Sequence, residues 1–296
     1  MEALRADREE PVNSPARLLF LGLPGSGKTT FLAALWHVLN DGSSATSLRL
    51  TKLSGDRTYL NQIAKEWREC SQVPRTNLQT EQVVVLHLDG EGFGTFDLSI
   101  PDLAGEAFRQ QVTERRMSRH HEAFVQDATG VMLFLHPDVQ KGTQLTVARR
   151  LEAELPATRE QDTAAASGGA DTAWSPELLP TQAKLVELLQ FLLDRRQREL
   201  RIAVAVSAWD LVDHLGAPHE LVARELPLLQ QFLEANDDVF THCVFGVSAQ
   251  GGDVTVEEEK RTLLELDDAL KRIKVRQEQE TCQDITKPLA WLLGGG

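Results

Sequence analysis

An α/β fold, built as a mostly parallel sheet with helices on both faces and one antiparallel edge strand, is what this 296-residue sequence predicts. Three observations predict it. Apolar runs such as Arg17–Leu23 (RLLFLGL) and Val131–Leu135 are nearly continuous rather than alternating, as in strands buried on both faces. These runs alternate with segments of helical period, the pattern of a layered sheet. A glycine-rich turn joins the first run to the first helix, and ligands on such sheets sit at the carboxyl ends of the strands.

The elements follow in order. After the strand Arg17–Leu23, a helix runs from about Lys28 to Leu39, with Phe31, Leu32, Leu35, Val38 and Leu39 at helical spacing and Asp41-Gly42 ending it. Residues 45–80 hold a short strand near Leu48–Leu53, a helix near Arg57–Cys70 and a loop through Pro74. Two strands, Glu81–Leu88 and Thr95–Ile100, are joined by a glycine-rich connection short enough to force an antiparallel hairpin. A helix over Glu106–Gln126 precedes the strand Val131–Leu135. Between Ala157 and Ser175, thirteen of nineteen residues are Ala, Thr, Ser or Gly. That stretch has no apolar period, so 141–180 reads as a mobile insertion. A helix over Thr181–Leu200 buries Leu185, Leu188, Leu189 and Leu192. The strand Arg201–Val206 follows, then a helical stretch His219–Ala235 broken or kinked at Pro227. Val239–Val247 is the last core strand, and helices near Val256–Arg272 and Pro288–Leu293 close the chain. The domain reading is a flexible tail at 1–16 and a single domain over 17–293, with insertions at 45–80 and 141–180.

Composition narrows the function. With 44 acidic against 31 basic residues, the formal charge is −13. That disfavours a general binder of phosphate backbones. One Tyr, five Trp and eleven Phe are too few for a broad base-stacking platform, so direct nucleic-acid binding is not expected. No apolar run reaches the roughly 18 residues of a spanning helix, and the charged start has no signal-peptide core. Cys70, Cys243 and Cys282 are far apart and fit neither a disulfide framework nor zinc-ligand spacing, which suits a reduced, cytoplasmic setting.

The most specific motif stands directly after the first strand: Gly22-Leu23-Pro24-Gly25-Ser26-Gly27-Lys28-Thr29, followed by Thr30. It matches G-x-x-x-x-G-K-[ST]. By average residue usage, a chance match in a chain this long is on the order of 1 in 100. Glycines here turn successive N–H groups toward an anion, and the helix N-terminus adds partial positive charge. Lys28 can reach the β- and γ-phosphates of a nucleotide, and the Thr29 hydroxyl can ligate Mg²⁺. The second hairpin strand runs into Pro101-Asp102-Leu103-Ala104-Gly105-Glu106. A carboxylate at a strand's carboxyl end beside a phosphate loop can hold Mg²⁺ through water, and the Gly105 N–H can meet a γ-phosphate.

This phosphate-loop NTPase pattern, with D-x-x-G after an antiparallel strand, resembles the Ras-like and translation-factor (TRAFAC) class of GTPases. The resemblance implies that Asp102 and Gly105 form a γ-phosphate switch. Glu106 stands where many such proteins place a water-orienting glutamine; it can orient water or cap a helix start. Switch I should supply a threonine over Mg²⁺, with Thr76 the first choice and Thr80 the second. Arg75 resembles the in-cis arginine of heterotrimeric G-protein alpha subunits, although it also reads as an exposed loop residue. After the strand Arg201–Val206, Ser207-Ala208-Trp209-Asp210 occupies the place of N-K-x-D. Asp210 can accept from both guanine N1–H and its exocyclic amine, whereas adenine offers neither donor there. Ala208 lacks the lysine stem, and Trp209 can stack or pack. Ser248-Ala249-Gln250 resembles the base-contacting S-A-K loop, with Gln for Lys.

Taken with PTQAKLVELLQFL (Pro180–Leu192) and ITKPLAWLL (Ile285–Leu293), these segments are similar to bacterial double-GTPase type domains of predicted conflict and defence systems. What that implies is a GTP/GDP- and Mg²⁺-binding switch, with slow or partner-stimulated hydrolysis and a protein effector, in antiviral defence. The alternatives are a phosphate-loop ATPase, or a pseudo-GTPase acting as a nucleotide-stabilised interaction module.

Overall fold

The computed structural model describes residues 16–42, 45–52, 56–73, 82–92, 94–102, 111–137, 179–194 and 200–295. Nine strands form one sheet: β1 (Ala16–Leu21), β2 (Leu48–Lys52), β3 (Gln82–Gly90), β4 (Gly94–Asp102), β5 (Gly130–Leu135), β6 (Leu200–Ser207), β7 (Phe240–Ser248), β8 (Lys274–Gln277) and β9 (Glu280–Cys282). Their spatial order is β2-β3-β4-β1-β5-β6-β7-β8-β9. Strands β4, β1, β5, β6 and β7 are mutually parallel. The predicted fold class is the observed one, with two differences of detail. The antiparallel strand β3 is not the edge, because β2 pairs outside it. A second antiparallel strand, β8, closes against β7 at the far side and carries β9.

Period-two alternation sorts the core into two layers. Leu18, Phe20, Met132, Phe134, Ala203 and Ala205 face one layer, covered by α1 (Lys28–Asp41), α2 (Thr58–Arg68) and α8 (Lys287–Leu292). Leu19, Leu21, Leu133, Ile202 and Val204 face the other. There α3 (Arg119–Asp127), α4 (Thr181–Leu193), α5 (Pro218–Glu225) and α6 (Pro227–Glu234) pack. On α4 the buried residues are Leu185, Leu188, Leu189 and Leu192, the four that the spacing predicts.

Several boundaries differ from expectation, each for a local reason. The predicted helix Glu106–Gln126 is not continuous among the described residues. Residues 111–114 are helical, Arg115 turns left-handed at φ 50°, and Ser118 caps a fresh start at α3 by accepting from the His121 N–H. The helix Thr181–Leu200 ends at Leu193, and Leu200 is already the first residue of β6. Pro227 divides His219–Ala235 into two helices rather than kinking one; Pro218 and Pro227 each occupy a first turn, where the missing N–H costs nothing. The predicted helix Val256–Arg272 is α7 (Glu257–Leu264) and then a short 3₁₀ turn, Ala269–Arg272. The last core strand is followed by the β8–β9 hairpin, two short strands beyond those that the sequence predicts. Most of the 141–180 insertion lies outside the described residues.

Candidate nucleotide site

The phosphate loop sits where β1 ends and α1 begins, held by backbone geometry. Gly27, the residue before α1, has φ 88° and ψ 5°. A Cβ there would lie 2.9 Å from the Ser207 Cβ, so only glycine fits both the left-handed turn and the close approach of β6. Lys28 is buried, and its ammonium donates to Gly22 O at 2.7 Å, Leu23 O at 3.2 Å and Ser26 Oγ at 3.2 Å. The loop thus folds around the cation. Thr29 and Thr30 follow in the first turn of α1.

The other end, where the sequence predicts base recognition, is assembled from two strand ends. Ser207 terminates β6, and its hydroxyl donates to Leu135 O at the end of β5, 2.9 Å away. Ala208 is left-handed, at φ 45° and ψ 44°. It turns the chain so that Trp209 points into the core, 2% exposed, while Asp210 faces out. Trp209 therefore packs. Its indole covers Gly246 so closely that a Cβ there would sit 2.2 Å from the ring. Asp210 accepts a short hydrogen bond from the Ser248 hydroxyl, and Ser248 Oγ in turn accepts from the Gly251 N–H at 3.2 Å.

A cavity of about 540 Å³ joins these two ends. Gly25, Gly27 and Thr30 line it at the phosphate loop; Ser207, Ala208 and Asp210 line it after β6, and Ala249 after β7. Of the other predicted residues, Lys28 and Ser26 are buried in the loop itself, and Ser248 is fully buried behind Asp210. Asp102 is the last residue of β4, the parallel neighbour of β1. Arg75, Thr76, Thr80, Gly105 and Glu106 lie outside the described residues.

The cavity also holds residues that the motifs did not mark. Ser71, Gln72 and Val73 line it immediately after α2. His136 lines it at the carboxyl end of β5, a place the strand-end rule could have flagged. Asp253 does so beyond the Ser248 loop. Hydrogen bonds from the Thr255 hydroxyl and N–H hold the Asp253 carboxyl below its ordinary range, so it is an anion at neutral pH.

The phosphate-loop motif at one end of this cavity points to a nucleotide, and the comparison of whole sequences gives the family. A model of the family described as Double-GTPase 1 matches residues 19–292. The chain belongs to the Double-GTPase 1 family. It is a GTPase, a GTP-binding switch with a P-loop core. Among curated proteins none matches. Solved structures similar to this chain are distant. One is the signal recognition particle receptor SRβ–GTP/SRX complex from Chaetomium thermophilum, 16% identical over 85% of this chain and 98% of that one, with a TM-score of 0.37. Another is elongation factor SelB from Methanococcus maripaludis with GppNHp, 11% identical over 85% and 33%, TM-score 0.36. A third is nucleolar GTP-binding protein 1 from Plasmodium falciparum, 12% identical over 86% and 87%, TM-score 0.38.

No helix among the described residues of this GTPase is long and apolar enough to cross a membrane.

Proposed function

We propose that this GTPase binds GTP along the 540 Å³ cavity, with phosphates on the Gly22–Thr29 loop and guanine at Asp210. The observation that supports it is the cavity itself, which brings Gly25, Gly27, Asp210 and Ala249 to one space. On binding, Lys28 exchanges its contacts with Gly22, Leu23 and Ser26 for the β- and γ-phosphate oxygens, and the loop's N–H groups take the remaining charge. Asp210, held by Ser248, accepts from guanine N1–H and the exocyclic amine. Hydrogen bonds to charged groups contribute roughly 1.5–3 kcal/mol each, enough to separate guanine from adenine.

The residue types proposed for the ion suit Mg²⁺: a hydroxyl from Thr29 and a carboxylate from Asp102, both hard oxygen ligands. Thr29 and Asp102 would hold the ion, with Thr76 closing over it. Bound Mg²⁺ would neutralise charge on the β- and γ-phosphates. Gly105 would sense the γ-phosphate; Glu106 would orient the attacking water, and Arg75 would balance charge as the bond from γ-phosphorus to the bridging oxygen breaks. Turnover is slow unless a protein partner assists. The single-domain reading over 17–293, the cytoplasmic setting, the protein effector and a part in bacterial antiviral defence extend the proposal, and they rest on composition and resemblance.

Titration of the full chain with GTP, GDP, ATP and ADP, with and without Mg²⁺, tests it. GTP and GDP should bind more tightly than their adenine counterparts, and Asp210→Asn should move the preference to xanthosine triphosphate, which presents an acceptor where guanine has its amine. Equal ATP binding, or an unchanged preference in the variant, would remove Asp210 from the base site.

A further inference from the structure

The end of α2 is bonded to the base loop. The fully buried Trp67 donates its indole N–H to Ala249 O at 2.8 Å. Its own carbonyl accepts from Gln250 Nε2 at 3.3 Å and from Arg272 Nη1 at 3.2 Å. Arg272, also buried, donates to Arg68 O at 3.2 Å and lays its guanidinium 5.5 Å from the Trp67 ring centroid. Gln250 Nε2 reaches Cys70 Sγ at 3.7 Å.

Backbone geometry at the same place is costly. Cys70 has φ 49°, a conformation that disfavours a side chain by roughly 1–2 kcal/mol. The Ser71 N–H closes the helix end on Glu66 O at 2.9 Å, the six-to-one bond of a helix stop that usually uses glycine. The Cys70 side chain is buried against Gln250, and the strained turn delivers Ser71, Gln72 and Val73 into the nucleotide cavity. Ala249 and Gln250 line that cavity from the other side. One joint therefore links the loop holding Asp210, through Ser248, to the segment that leads from α2 toward Pro74.

We infer that Trp67 and Gln250 are positioning residues that couple the guanine end of the site to the segment after α2, so that a seated base fixes where that segment starts and the joint slows nucleotide release. The inference rests on Asp210 reading guanine. Gln250 stands where the resembled pattern has lysine; here its amide faces α2 and serves the joint.

The test uses stopped-flow release of fluorescent (N-methylanthraniloyl) GDP and ADP from the full chain. Trp67→Phe keeps the ring and removes only the N–H; Gln250→Glu keeps the shape and removes the donor. Each should speed GDP release by roughly 3- to 10-fold, the range of one lost hydrogen bond. The double variant should release little faster than either single one, because both serve one joint. Release of the ADP analogue, whose base makes no bond to Asp210, should change less than twofold. Thermal melts without nucleotide separate a folding defect from a kinetic one. Unchanged GDP release in both variants, or equal acceleration for GDP and ADP, overturns the coupling while leaving guanine recognition intact. If the unaltered protein shows no guanine preference and Asp210→Asn changes nothing, the base reading fails and the coupling falls with it.

Discussion

The two ends of the nucleotide cavity are built by different physics. At the phosphate end, eight consecutive residues and one helix start make the site. Gly27 supplies the turn, and Lys28 is gathered by Gly22, Leu23 and Ser26 within six residues of itself. At the base end, Asp210 depends on Ser248, 38 residues away, and the loop around Ser248 depends on Trp67, about 180 residues away. A site made from local backbone is written in adjacent letters. A site made from tertiary contacts is written in packing, and single letters in it can change while the geometry stays.

The largest expected effect lies at the local end. Lys28→Ala removes the side chain that the loop is folded around and, in the proposed binding mode, charge-assisted bonds to two phosphates. Nucleotide affinity should fall by roughly 100-fold or more, from about 1.5–3 kcal/mol per bond. GTP and ATP should lose equally, because this end does not see the base. Isothermal titration of the variant with both nucleotides checks this; a loss confined to GTP would mean that the two ends are not separable.

The second effect lies at the distributed end and works at one remove. Gly246→Ala places a methyl 2.2 Å from the Trp209 ring, which is 2% exposed and has no room to retreat. Overpacking of this kind costs about 1–3 kcal/mol. Because Asp210 follows Trp209 directly, guanine selectivity should fall along with the melting temperature, whereas phosphate binding should persist. A melt combined with GTP-against-ATP titration reads both. Lost stability with full selectivity would show that Asp210 keeps its place without its neighbour.

The same contrast explains what could be read in advance. The alternation of strands and helices, the phosphate loop and the buried face of α4 follow from local period, and sequence sufficed. Asp210 is marked as a candidate by its place after a strand, whereas whether Trp209 stacks or packs depends on Gly246, a neighbour from another strand. The β8–β9 hairpin leaves little sequence signal because its strands have four and three residues, with Glu278 left-handed in the turn between them. It exists because β7 has an edge to be covered. The break at Arg115 likewise has no glycine or proline to announce it. Arg115 instead makes a short ion pair with Glu187 on α4, a partner that sequence spacing does not reveal.

The smallest effect sharpens the comparison through pH. His37 on α1 packs its ring 5.0 Å from that of Trp67. Burial lowers its pKa from the ordinary value of about 6.5. Arg68 and Arg272 lower it further, and Asp41 and Asp268 oppose them. The folded state therefore holds His37 neutral where the unfolded chain would protonate it. Stability is fully present above the unfolded value and declines as pH falls below it toward the lowered folded one. His242, lowered by burial against a raising charge at Glu234, adds with the same sign. Melting temperature should therefore drop between pH 7.5 and 5.5, and His37→Phe should reduce that slope. Part of the pH dependence of folding therefore belongs to the tertiary joint around Trp67, through His37, and part to β7, through His242. An unchanged slope in the His37 variant would move the first part elsewhere.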